Sequence, residues 1–131
     1  YGVVKEEEGT VNAPIGRHPV ERKKMAINEK NGKPAITHYK VLERFERYTY
    51  MEFKLETGRT HQIRVHMASI GHPLLGDTRY FTAESANLAA QYHAPYHQLC
   101  AVKLSLIHPI TGKTLEIACT PDFSVDILFH L

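Results

Sequence analysis

Apolar and polar positions alternate most clearly over residues 49–56, where Met51, Phe53 and Leu55 are separated by Glu52, Lys54 and Glu56. A period of two predicts a strand with one buried face. Residues 35–44 predict a second strand through Ile36, Tyr39, Val41 and Leu42, and the polar pair Glu46-Arg47 between the two makes an antiparallel hairpin the natural connection. Asn31-Gly32, inside Lys30-Asn31-Gly32-Lys33, is a turn signal just ahead of that hairpin. Further upstream, residues 1–5 read as the end of a strand already under way, Glu6-Glu7-Glu8-Gly9 as an acidic turn, and Thr10-Val11 as a short extended piece. Pro14, Gly16 and Pro19 predict an irregular loop.

After Thr57-Gly58-Arg59-Thr60 the period changes. Ile63, Met67 and Ile70 fall at spacings of four and three, which defines one face of a helix beginning near His61. Thr60 is the expected N-cap and Gly71 the expected stop. His61 and Arg64 lie three apart, side by side and roughly opposite that apolar face. Residues 72–80 predict a loop, and the Ala-rich span 83–91 a second helix ahead of Pro95. Residues 99–107 and 114–119 read as two strands joined by Pro109-Ile110-Thr111-Gly112, a second hairpin. The expected architecture is α+β: a mixed, mainly antiparallel sheet with flanking helices in one domain over residues 1–131.

Composition narrows the classes. A chain of 131 residues with 43% hydrophobic and 23% charged positions can bury a core, which excludes wholesale disorder and fibrous repeats. Its apolar runs, such as 127–129, fall far short of a membrane-spanning helix. Two cysteines, Cys100 and Cys119, cannot build a disulfide framework, so a reducing, cytoplasmic setting is expected, with both thiols as inert core groups. The net charge of +2 is unevenly spread: residues 1–60 hold twelve cations against nine acids, the rest four against five. Arg17, Arg22, Lys23 and Lys24 surround a single acid, Glu21, and a basic loop of this kind suits either phosphate contact or plain solvation.

Nine histidines invite a metal reading. His61 and His66 are five apart and face different ways on a helix, Pro95 interrupts the His93–His97 spacing, and there is no Cys-x-x-Cys. No metal is expected. Arg64 is the more informative position, because a cation in the first turn of a helix opposes its dipole. An anion held by Arg64 and the first-turn N–H groups would resolve the conflict, as would an ion pair with Glu56 or Asp77.

The run Gly58-Arg59-Thr60-His61-Gln62-Ile63-Arg64-Val65-His66, followed by Gly71-His72-Pro73-Leu74-Leu75-Gly76-Asp77 and Tyr80, closely resembles a signature of the RluA-like family of RNA pseudouridine synthases. Ala13-Pro14-Ile15-Gly16-Arg17, Gly32-Lys33-Pro34-Ala35-Ile36-Thr37 and His108-Pro109-Ile110-Thr111-Gly112 resemble that family in order and spacing too. The resemblance implies the carboxyl-terminal part of a catalytic domain whose cleft admits RNA. It implies an isomerase without a cofactor: a uridine of ribosomal RNA is flipped out, its N-glycosidic bond is cleaved, the uracil turns, and C5 is rejoined to the ribose. Arg64 would pair with the catalytic aspartate. Thr60, His61 and Gln62 would contact RNA or line its pocket, Ile63 would pack under the flipped base, and Arg59, Arg17, Arg22, Lys23 and Lys24 would meet phosphates.

Two departures qualify that expectation. The family's aspartate lies in His-Arg-Leu-Asp-x-x-Thr-Ser-Gly, a motif these 131 residues do not contain, so the chain is expected to be a fragment and inactive alone. Tyr1-Gly2 matches only the end of the family's Tyr-x-Ala-x-Val-x-Gly strand, so Tyr1 does not inherit the active-site tyrosine's role. Cys100 stands where many members carry histidine. Asp77 is read as a loop-organising acceptor rather than a replacement nucleophile. The alternative from another class is a noncatalytic RNA-binding module, and in either case a severed sheet would expose an edge open to non-native dimerisation.

Overall fold

The computed structural model describes residues 1–94, 96–99, 103–107 and 114–118. They divide into two compact units, Tyr1–His97 and Gln98–Leu131. In the first, β1 (Glu8–Asn12), β4 (Ile36–Arg44) and β5 (Thr49–Leu55) form a three-stranded sheet in the order β1-β4-β5. Both pairings are antiparallel, with Gly9 opposite Tyr39 and Tyr39 opposite Phe53. The β4–β5 hairpin follows the predicted alternation, closing at Phe45 N–H to Tyr48 O (3.0 Å) with the Phe45 and Tyr48 rings stacked at 4.7 Å. Alternation along β4 buries Val41 and leaves Leu42 48% exposed on the other face, and the register shifts between Val41 and Glu43.

Between β1 and β4 the chain forms a small antiparallel hairpin, β2 (Ile15–Arg17) with β3 (Met25–Ile27), where the prolines and glycine predict only a loop. Gly32 sits so close to the Asn28 carbonyl that a Cβ would collide with it, and Gly32 N–H donates back to that oxygen at 2.8 Å. The strand expected over residues 1–5 is not formed. These residues run without ladder partners, and Glu8 and Gly9, expected in a turn, open β1 instead.

Helix α1 (Gln62–Ser69) packs on β3 and β4, but not with the predicted face. Its buried residues are Gln62, Val65, His66 and Met67, while Ile70 is 40% exposed. The polar pair is buried because it is fully bonded. His66 Nε2–H donates to Ala13 O (2.9 Å), so its Nδ1 accepts from the Thr37 hydroxyl (2.8 Å). Gln62 uses both ends of its amide, donating to Ile36 O and Thr37 Oγ1 and accepting from Thr57 Oγ1 and Arg59 N. Thr60 is not the cap: His61 holds that position, left-handed at φ 55°, ψ 27°, with no side-chain cap bond. Around this frame Ile15, Ala35, Val65 and Tyr80 form a core cluster, flanked by Met25, Ile27 and Ala68. Helix α2 (Ala83–Gln91) starts with a reciprocal cap between Thr82 and Ser85 and buries Leu88 and Ala89.

In the second unit β6 (Lys103–Ile107) pairs antiparallel with β7 (Thr114–Ala118), Lys103 opposite Ala118 and Ile107 opposite Thr114. The expected turn at 109–112, and with it Cys100, Cys119 and His108, lies outside the described residues. Three antiparallel sheets and two helices make an α+β fold, with no parallel pairing among the described strands.

Candidate functional site

The strand-to-helix corner at residues 57–61 is held from beneath. Gln62, 3% exposed, ties Thr57 and Arg59 to the start of β4, and Arg59 Nε donates to Pro34 O at 2.8 Å. Gln62 is therefore not at the surface where the sequence suggests an RNA contact; all four of its hydrogen-bonding positions are engaged inside the fold.

One turn into α1, Arg64 meets Asp77 edge to edge. Nε donates to Oδ2 at 2.8 Å and Nη2 to Oδ1 at 2.9 Å, with the side chains 13% and 0% exposed. Asp77 Oδ1 also accepts the Arg79 and Tyr80 backbone N–H groups at 2.9 and 3.0 Å, which folds the loop back over the helix. Burial raises the Asp77 carboxyl, but the Arg64 bonds and the two N–H groups outweigh it and hold its pKa below the ordinary aspartate value. The same bonds hold the Arg64 guanidinium above its ordinary value. Of the two acids considered for Arg64, Asp77 is the partner; Glu56 bonds His38 at 2.6 Å instead. Gly76, at φ 85°, permits the turn, and its α-carbon lies so close to the Tyr96 carbonyl that a Cβ would collide with it.

Tyr80 gathers the remaining groups. The Arg64 guanidinium lies 5.1 Å from its ring centroid, His61 meets the ring edge-on at 5.6 Å, and the Tyr80 hydroxyl is 2.9 Å from both Met25 N and His61 Nδ1. Because Met25 opens β3, this hydroxyl docks the basic β2–β3 turn beside the Arg64 pair. Within that turn Arg17 Nη1 donates to Arg22 O, Lys24 pairs with Glu21 at 3.0 Å, and Arg79 Nη1 donates to Lys23 O. Arg17, Arg22 and Lys23 are exposed; Lys24 is half-buried. An open cleft of about 260 Å³ is lined there by His18, Lys24, Arg79, Tyr80 and Phe81. Thr60 is exposed, and His61 and Ile63 are half-buried.

The fold thus brings His61 and Arg64 against one ring, with Lys24 on the cleft that Tyr80 also lines, while Arg59 turns to anchor the corner. Asp77 is the loop-organising acceptor that the sequence suggests, taking the N–H groups two and three residues on, while Arg79 and Tyr80 are the organising residues that periodicity misses. No group of three His, Cys, Asp or Glu side chains among the described residues could hold a metal. No helix among them is long and apolar enough to cross a membrane.

Residues 1–69 match the RNA pseudouridylate synthase family. The whole chain is 48% identical to an RNA pseudouridine synthase of Synechocystis, over 40% of that protein. A ribosomal large subunit pseudouridine synthase D of Nitrosomonas europaea is 51% identical over 84% of the chain and 32% of its own length. Among solved structures, human RNA pseudouridylate synthase domain containing 1 superposes with a TM-score of 0.77 at 28% identity, over 96% of this chain and 53% of that one. The chain spans two-fifths or less of these two curated relatives. With signature, fold and relatives in agreement, the chain belongs to the RluA-like family of RNA pseudouridine synthases.

Proposed function

We propose that this chain supplies the arginine-bearing part of an active site that isomerises uridine to pseudouridine in ribosomal RNA, and that it is inactive without the aspartate motif its 131 residues lack. The observation that carries this reading is the Arg64–Asp77 pair. Asp77 takes the Nε/Nη2 edge of the guanidinium, which fixes its plane, and the Nη1 side would be left for a second carboxylate. A nucleophilic aspartate in a closed pocket would be driven toward its neutral form by burial, and a fixed cation opposes that shift. Arg64 would thus keep the incoming aspartate ionised and aligned. Thr60, His61 and Arg59 would border the RNA, Ile63 would pack beneath the flipped base, and Arg17, Arg22, Lys23 and Lys24 would meet phosphates. Gln62 would act from below by holding the corner. The ribosomal substrate sets the compartment as cytoplasmic. The outer edge of β5 would be where the isolated chain pairs with a second copy.

Release of tritium from C5-labelled uridine in ribosomal RNA tests the reading. This chain alone is expected to release none, and the same chain extended upstream through the aspartate motif to release it, with circular dichroism confirming that both fold. In the extended protein Arg64→Lys keeps the charge but loses the fork, and turnover should fall at least tenfold. Release by the short chain, or full turnover in Arg64→Lys, would sink the proposal.

A further inference from the structure

Tyr80 is 8% exposed and its hydroxyl has one hydrogen to give. Met25 N–H donates to that oxygen at 2.9 Å, so it cannot receive the phenol hydrogen. His61 Nδ1, at 2.9 Å, is the acceptor within reach among the described residues, and leaving a buried O–H unbonded would cost about 1–3 kcal/mol. Tyr80 therefore donates to Nδ1, and the ring hydrogen of a neutral His61 must sit on Nε2. That nitrogen has no partner among the described residues. The surroundings favour the neutral ring: burial first, then Arg64 and Arg79, with a smaller push from His97, lower the His61 pKa, and only Asp77 opposes them. The backbone at His61 is left-handed, a conformation costly for a residue with a side chain, and no capping bond compensates.

We infer that Tyr80 locks His61 as the Nε2–H tautomer, so that His61 presents a fixed, uncharged donor to an acceptor oxygen of the bound RNA, either a base carbonyl or a phosphate oxygen. The RNA half of this inference rests on the proposed function; the tautomer half does not. An uncharged donor adds directional contact without counterion release, unlike the lysines of the β2–β3 turn. Protonation would remove the acceptor that Tyr80 uses and turn the neutral donor into a charged one, in sight of Arg64, Arg79, His97 and Asp77.

Long-range proton–nitrogen NMR on the chain without RNA reads which ring nitrogen of His61 carries hydrogen. The expected result at pH 7 is Nε2–H; Nδ1–H or a doubly protonated ring overturns the inference without any variant. In Tyr80→Phe, with a dispersed spectrum as the fold control, the His61 titration should move upward toward the ordinary histidine value. An unchanged titration counts against the lock. His61→Phe should then weaken binding of a uridine-containing oligonucleotide roughly fivefold, as the loss of one hydrogen bond implies. Its salt slope at pH 7.5 should match the wild type, whereas Lys23→Ala should lower the slope by about one. Repeating the comparison with 2- and 4-thiouridine oligonucleotides, whose sulfurs accept poorly, separates the sources: a base carbonyl makes the His61→Phe loss vanish, a phosphate oxygen leaves it intact. These binding comparisons use the chain extended upstream through the aspartate motif: wild-type affinity in His61→Phe overturns the donor role, whereas failure of that extended protein to bind any RNA overturns the proposed function and with it the RNA half of the inference, the tautomer half standing or falling on the NMR result alone.

Discussion

Arg64 and Asp77 show how a cation in the first turn of a helix is tolerated. The carboxylate approaches along the guanidinium edge, and two backbone N–H groups complete its shell, so neither charge is left without partners in a site with little solvent. Because the Asp77 pKa is held below its unfolded value, the pair's contribution is complete above the ordinary aspartate range and is lost as pH falls through the depressed folded value. Asp77→Asn keeps the shape but strands the Arg64 charge, and urea denaturation at pH 7 should show a loss of about 3 kcal/mol. The gap should close in acid, where the wild-type carboxyl is protonated too. Equal stability at pH 7 would mean that the loop is organised by something other than this charge.

Helix α1 carries the largest difference between expectation and structure. Counting apolar residues selects Ile63, Met67 and Ile70, whereas the buried face runs through Gln62, Val65, His66 and Met67. Polar residues at buried helix positions are invisible to periodicity, and only their partners on β4 and near Ala13 explain why they are inside. The β2–β3 hairpin is hidden for a related reason, since three-residue strands among prolines carry no alternation to read. Helix α2 is the opposite case, with its start written locally. Thr82→Ala should cost about 1 kcal/mol in thermal or urea unfolding, and Thr82→Ser should restore most of it. An Ala variant as stable as the wild type would show that packing of Leu88 and Ala89 alone fixes this end.

For the molecule as a whole, the uneven charge acquires a place. The basic turn at 17–24 folds against the corner that bears Arg64, through Tyr80 and Arg79, so cations far apart in sequence border one cleft. Sheet edges matter at the same scale. Among the described residues β5 pairs only with β4, and Leu55 on it is 48% exposed, so sedimentation velocity of the isolated chain should show mass rising with concentration. A charge on that edge, Leu55→Lys, should return it to a monomer. A chain that stays monomeric at high concentration would rule out edge pairing.

Local pattern is enough for the α+β class, the β4–β5 hairpin, the antiparallel β6–β7 pairing, both helices within a residue or two, and the family, because alternation, turn chemistry and a long contiguous signature are all local properties. The buried face of α1, the acid that holds Arg64, the bracing of the corner by Gln62 and the link through Tyr80 from His61 to the start of β3 emerge only once the chain is folded. Each of those depends on partners 13 to 55 residues away, and the bonds that make a buried polar group tolerable appear only when distant segments meet.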